Sequence, residues 1–183
     1  MTDRPRISLI AAMGRDRTIG KDNQIPWHIP EDMKHLRDVT RGKPLIMGRH
    51  TYESIHALRG TDPQTTHALP GRLNIVLTSN RNYFRELPPQ GVLLAQTPQD
   101  GLNAAINYAK QHDIDEIFIF GGETVYRALI DQAERLYLTV IDHNYAGDSF
   151  FPEIDEREWH LVSENIIPAK DENPAVSFKI YTH

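Results

Sequence analysis

Glu116-Ile117-Phe118-Ile119-Phe120-Gly121-Gly122-Glu123-Thr124 decides the fold. An unbroken apolar run this short reads as a strand buried on both faces, the habit of strands in parallel sheets. The glycine pair then turns the chain into a helix expected over residues 123–132. The same strand, glycine, helix order precedes it, with a strand at 44–47, then Gly48-Arg49-His50-Thr51 opening a helix expected to run through Ile55. Further strands are expected at 7–13, 74–77 and 92–95, and helices at 29–39 and 98–112, while strands at 136–141, 158–166 and 175–182 follow with no helix between them. Alternation that ends in a hairpin predicts an α/β fold, with a mostly parallel mixed sheet, an antiparallel C-terminal strand and helices on both faces. Residues 60–68 are polar and turn-rich and read as a surface excursion whose length is tolerated rather than functional.

A chain of 183 residues fits one domain, expected to span 1–183. The net charge of −5 argues against nucleic acid as the main partner, though a local basic cleft could still hold phosphates. There is no cysteine, hence no disulfide, thiol nucleophile or thiolate metal site, which suits a reducing cytoplasm. Nine histidines form no HExxH or other close ligand pair, so most read as surface residues and no metal is expected. The amino end, from Met1-Thr2-Asp3, runs straight into a strand without a secretory apolar stretch, and nothing approaches membrane-spanning length.

One carboxylate is out of place. At about 100° per residue from Ile29, Met33, Leu36 and Val39 share an apolar arc, and Asp32 falls inside it at about 300°. Glu31, Lys34, His35, Arg37 and Asp38 point away. Burying an unpaired carboxylate costs several kcal/mol, so either Asp32 caps the helix that Pro30 begins or a partner compensates it.

Helix starts at the carboxyl ends of parallel strands present free amides and a positive dipole to anions. Gly48 to Thr51 adds an arginine, an imidazole and a hydroxyl, and Gly121-Gly122-Glu123-Thr124 allows close backbone approach. Each alone is also ordinary turn chemistry. Thr78-Ser79-Asn80-Arg81 stands at a strand end where a dinucleotide fold preferring the unphosphorylated cofactor places an acid. Hydroxyls and a guanidinium there favour a 2′-phosphate, so NADPH is expected over NADH, although Arg81 also reads as a solvated charge. The spacing departs from GxGxxG.

Taken together, Ile7 to Ala12, Ile19-Gly20, Pro26-Trp27, Pro30 with Asp32, Ile46 to Ile55, Leu69-Pro70-Gly71-Arg72, Phe120-Gly121-Gly122 with Tyr126, Leu136 to Thr139 and Gly147 to Pro152 resemble a bacterial dihydrofolate reductase nearly end to end. The resemblance implies hydride transfer from NADPH to 7,8-dihydrofolate in a cytoplasmic monomer, with no nucleic-acid or membrane partner. It makes Asp32 the carboxylate for the pterin's 2-amino and N3 edge, supported by Trp27, Thr139 and Tyr126. Arg72 would take the glutamate α-carboxylate, and Ile10, Ala12, Met33, Leu36, Ser54, Ile55, Leu69 and Phe120 would form the walls. Gly48, Arg49, His50, Thr51, Thr78, Ser79, Asn80, Arg81, Gly121, Gly122, Glu123 and Thr124 would hold the cofactor's phosphates and ribose, with Ala12, Ile19, Gly20 and Tyr126 near its nicotinamide. The segment 14–24 resembles a lid anchored by Asp148, and the bond between Gly121 and Gly122 would be cis. Ile25, Leu36 and Thr124 depart from the residues common at their positions. A related NADPH-dependent pyrimidine reductase and a noncatalytic nucleotide-binding module stand as alternatives, each with less use for an acid at Asp32.

Overall fold

The buried parallel strands anticipated from residues 116–122 form the centre of the computed structural model, which describes residues 4–183; the reading of Met1 to Asp3 lies outside them. In chain order the elements are β1 (Arg6–Gly14), β2 (Thr18–Gly20), α1 (Pro30–Thr40), β3 (Leu45–Gly48), α2 (Arg49–Arg59), β4 (Asn74–Leu77) and β5 (Val92–Ala95). There follow α3 (Pro98–Gln111), β6 (Glu116–Gly121), α4 (Glu123–Leu129), a 3₁₀ turn (Ile130–Gln132), β7 (Arg135–Ile141), β8 (Ser149–Phe150), β9 (His160–Ile167) and β10 (Val176–Thr182). The main sheet has the order β5-β4-β3-β6-β1-β7-β10-β9. Pairing is parallel from β5 to β7, and β10 runs antiparallel to both β7 and β9.

The two-residue period of a strand sends alternate side chains into two cores. Ile7, Leu9, Ile46, Ile75, Leu77, Ile117 and Ile119 meet Leu102, Ala105 and Ala109 of α3 and Val125 and Leu129 of α4 on one face. Ile10, Leu45, Met47, Val76 and Phe118 meet Tyr52 of α2 on the other, with Leu36 and Val39 of α1 packed against that cluster. Helices therefore cover both faces.

Four local readings change. The β2 and β8 strands, which pair with each other, are too short for any periodicity to reveal. Helix α2 passes Ile55 and runs to Arg59, because nothing stops it before Gly60, which ends it at a left-handed φ of 62°. The segment after Gly121-Gly122 tightens into the 3₁₀ turn after Leu129. His35, read as pointing away from the apolar arc, is half-buried and stacked on Phe178 with ring centroids 4.2 Å apart, and His56 is buried, an exception among mostly exposed histidines.

Candidate active site

A cleft of about 870 Å³ opens at the carboxyl ends of β1, β3, β4 and β6, within the size range of ligand pockets. Its position follows from topology. The helices before and after β3 pack on one face of the sheet and those before and after β6 on the other, which leaves a crevice where these parallel strands end.

Asp32 forms part of its wall and is 8% exposed. It does not cap its helix: Ile29 holds the N-cap position, with no side-chain bond to the free amides. Burial pushes its carboxyl above the usual value, and the Thr139 hydroxyl acts weakly the other way. No cation among the described residues contributes. A second buried acid shows what a satisfied one looks like: Glu116, 3% exposed, takes Lys43 Nζ at 2.6 Å and Ser8 Oγ at 2.5 Å. Glu116 is neutralised within the fold, whereas Asp32 is left for something that enters the cleft.

The rest of α1 agrees with that reading. Its buried residues are Asp32 and Thr40, while Met33, on the apolar arc, is 45% exposed and lines the cleft beside Leu36 and His35. The start of the arc faces the cleft, while Leu36 and Val39 also pack against the core. Trp27 is half-buried, lines the same end and packs against Tyr145 at 4.9 Å. Thr139 pairs in register with Ala12 across β1 and β7, and both line the cleft with Ile10 and Phe120. The Tyr126 hydroxyl lies 2.8 Å from the carbonyls of Ile10 and Phe120, tying β1 to β6. Burial and the nearby Asp32 carboxylate raise its pKa, so it stays protonated.

On the opposite wall α2 presents Thr51, Ser54, Ile55 and Leu58, one stripe at helical spacing, followed by Leu69. At its start Gly48 provides no side-chain cap, leaving the first amides free beside Arg49 and His50. Thr78, Ser79, Gly122 and Thr124 complete a donor-rich rim, and a Cβ on Gly122 would meet Thr51 Oγ1 at 3.3 Å. The bond between Gly121 and Gly122 is cis. This set of amides, hydroxyls, an imidazole and a guanidinium fits an anionic dinucleotide.

Part of segment 14–24 borders one end of the cleft. Ile19 and Gly20 line the cleft, Asp22 N–H donates to Asp148 Oδ2 at 2.9 Å, and Asp148 N–H donates to the Gly20 carbonyl at 3.1 Å.

Five residues expected to bind ligand lie outside the cleft lining or are bonded to other protein groups. Arg72 is outside the cleft lining: its Nε donates to the Thr40 carbonyl and hydroxyl, Nη2 to the Arg37 carbonyl and Nη1 to the Pro70 carbonyl. The unpaired carbonyls at the end of α1 attract the guanidinium. Arg81 and Asn80 are also outside it, because the chain turns away after Ser79, where Asn80 N–H donates to Thr78 Oγ1 and the Asn80 side chain takes the amide of Asn82. Gly121 is shielded by the Tyr126 ring, whose oxygen a Cβ there would meet at 2.8 Å. Glu123 lines the cleft, but its carboxylate is taken by Arg127 Nε and Phe150 N–H. Sequence reasoning missed Leu58 and Arg59, which a longer α2 would have exposed, and Gln96 and Pro98, which the strand-end rule at β5 marks.

Known proteins place the chain. The family model described as dihydrofolate reductase matches residues 6–183. Dihydrofolate reductase type 3 of Salmonella typhimurium is 41% identical over 167 residues, 91% of each chain. The dihydrofolate reductase of Bacillus subtilis is 38% identical over 168 residues, 92% of this chain and 88% of that one. Among solved structures, dihydrofolate reductase from Enterococcus faecalis complexed with NADP(H) and RAB-propyl superimposes with a TM-score of 0.79 at 31% identity, covering 97% of this chain and 95% of that one. With family match, relatives and fold in agreement across nearly the whole length, this chain belongs to the dihydrofolate reductase family.

Proposed function

We propose that this chain reduces 7,8-dihydrofolate to 5,6,7,8-tetrahydrofolate with NADPH, as an oxidoreductase of folate metabolism. The observation that carries the reading is Asp32, a buried carboxylate with no cation beside it among the described residues, facing a cleft whose far rim is rich in donors suited to phosphates. The 2-amino and N3 edge of a pterin is a planar pair of donors that matches two carboxylate oxygens, so the substrate supplies what the fold withholds.

Bound NADPH supplies the hydride. The chain's own residues hold the acceptor ring against it: Asp32 fixes one edge, Ile10, Ala12, Ile55 and Phe120 wall it in, and Trp27 and Thr139 keep the carboxylate in place. Positioning of this kind supplies much of the rate, because reacting atoms are brought to near-attack distance in a site with little water. Asp32 faces the edge opposite N5, so the proton that completes reduction there arrives through water. Arg49, His50, Thr51, Ser79 and the amides after Gly48 take the dinucleotide's phosphates. The lid tied by Asp148 excludes water during transfer.

One continuous main sheet through the described residues suits a single domain, expected to work as a monomer in the cytoplasm without nucleic acid. No helix among the described residues is long and apolar enough to cross a membrane, and they contain no cluster of three or more His, Asp or Glu side chains that could hold a metal. Loss of reduced-nicotinamide absorbance with dihydrofolate is the test. Turnover is expected with dihydrofolate and not with a ribosylated aminopyrimidine; the reverse would overturn the reading.

A further inference from the structure

Arg49 stands at the cofactor rim with 37% of its side chain exposed, and its use there depends on what holds the guanidinium. A long side chain left loose loses its rotamer freedom when an anion docks, which weakens binding, whereas one already fixed does not. Glu53 supplies one hold, its Oε1 3.2 Å from Arg49 Nη1. A carboxylate so close also cancels part of the charge that draws a phosphate. A second hold has no such cost: Arg49 Cζ lies 6.0 Å from the centroid of the Tyr83 ring. The negative face of an aromatic ring attracts a guanidinium without neutralising it. Tyr83 itself is outside the cleft lining.

We propose that Tyr83 is a positioning residue for the cofactor's 2′-phosphate: its ring seats the Arg49 guanidinium, and Gln64 of the excursion after α2 keeps the ring in place. The inference rests on the NADPH reading above, with Arg49 as the cation for that phosphate. The chain reaches Tyr83 directly from the cofactor rim. After Thr78 and Ser79 it leaves the cleft at Asn80, and Tyr83 N–H donates to the Asn80 carbonyl at 3.2 Å, closing a turn that brings the ring back to α2. There the ring packs edge-on against Tyr52 and against its neighbour Phe84, with centroids 6.5 and 4.8 Å away. Its hydroxyl is buried and unpaired among the described residues, which costs stability. What the residue offers at this place is therefore its aromatic face, not its oxygen.

The excursion braces this seat. The Gln64 side-chain amide donates to the Tyr83 carbonyl at 3.2 Å, and its oxygen accepts from the Arg85 amide at 3.1 Å, so one side chain holds the backbone on both sides of Phe84. Gln64 is fixed in turn. Its own N–H donates to Asp62 Oδ1 at 2.9 Å, and the Tyr52 hydroxyl lies 2.7 Å from the Thr66 carbonyl and 3.1 Å from that of Pro63. Tyr52 thus touches both the excursion and the ring that the excursion braces. Residues 60–68, read from sequence as tolerated length, tie α2 to the segment that follows the cofactor rim.

The test is calorimetric titration of wild type, Tyr83→Leu and Tyr83→Phe with NADPH and with NADH. A partly exposed cation–ring contact predicts that Tyr83→Leu lowers the ratio of NADPH to NADH affinity roughly two- to five-fold, while Tyr83→Phe, which keeps the ring, holds the wild-type ratio. In an Arg49→Ala background Tyr83→Leu is expected to change the ratio no further, because the ring acts only through the guanidinium. A wild-type ratio in Tyr83→Leu, an equal fall in Tyr83→Phe, or an undiminished fall without Arg49 overturns the assignment. Should Tyr83→Leu fail to fold, Gln64→Ala is expected to lower the ratio in the same direction, again only where Arg49 is present; no change there overturns it equally. Wild type that prefers NADPH while the variants keep its ratio sinks this inference alone. Wild type with no preference for NADPH sinks the cofactor reading and this one with it.

Discussion

Asp32→Asn is expected to lower turnover of dihydrofolate near neutral pH by about 10²-fold or more while leaving NADPH affinity nearly unchanged. The amide keeps the shape but replaces one acceptor oxygen with a donor, which then opposes the pterin's own donors. A structural acid would behave otherwise, as Glu116 shows. Glu116 is bonded to Lys43 and Ser8, so its loss would leave a half-buried ammonium unpaired. Asp32 has no such partner to strand.

Stability gives the matching signature. Because burial raises the Asp32 carboxyl above its ordinary 3.8, the folded chain holds that proton to higher pH than the unfolded chain does. The group's stabilising contribution is thus complete below about pH 3.8 and is lost as pH rises through the folded value. Asp32→Asn, which cannot ionise, is expected to melt above wild type at neutral pH, with that advantage shrinking as the pH is lowered toward 4. Thermal melts across this range check it. A variant that is both inactive and less stable at neutral pH would mean the acid serves the fold.

The second large effect is expected at Arg49. Its Nη1 lies 3.2 Å from Glu53 Oε1 and its Nη2 3.2 Å from His50 Nε2, which hold the guanidinium at the start of α2. Arg81 is outside the cleft lining, whereas Arg49 lines the cleft together with Thr78 and Ser79 of the cofactor rim. A charge-assisted hydrogen bond contributes about 1.5–3 kcal/mol, so Arg49→Ala is expected to weaken NADPH roughly ten-fold or more and NADH far less. Titration of protein fluorescence with each cofactor separates them. Equal weakening would place the 2′-phosphate elsewhere.

Much of the architecture was legible because its strands are buried on both faces. Runs such as Ile46-Met47 and Ile117 to Phe120 have no polar face to spare, and the glycines after them mark where helices begin. The end of α2 was read too short, since Leu58 and Arg59 are good helix formers that only Gly60 stops, while the contacts of Thr61, Pro63 and Thr66 that fold the following chain back on α2 leave no sequence signal. Asp32 stood out as a polar residue on an apolar arc, yet helical phase alone could not tell a cap from a ligand-facing acid. That distinction needed Ile29 at the cap and Thr139 on a strand far away in sequence. The bonds of Arg72 were hidden for a related reason: a lone arginine after a Pro-Gly turn reads as free, and only the tertiary fold brings the open end of α1 to it.

The most direct measurement is the titration of the Asp32 carboxyl itself, by carbon NMR with Asp32→Asn identifying its resonance, in the free protein and with a protonated diaminopteridine bound. The free carboxyl should titrate above the ordinary aspartate range, and the bound cation should drive it below that range. An ordinary value that does not move on binding would mean that nothing entering the cleft meets this acid.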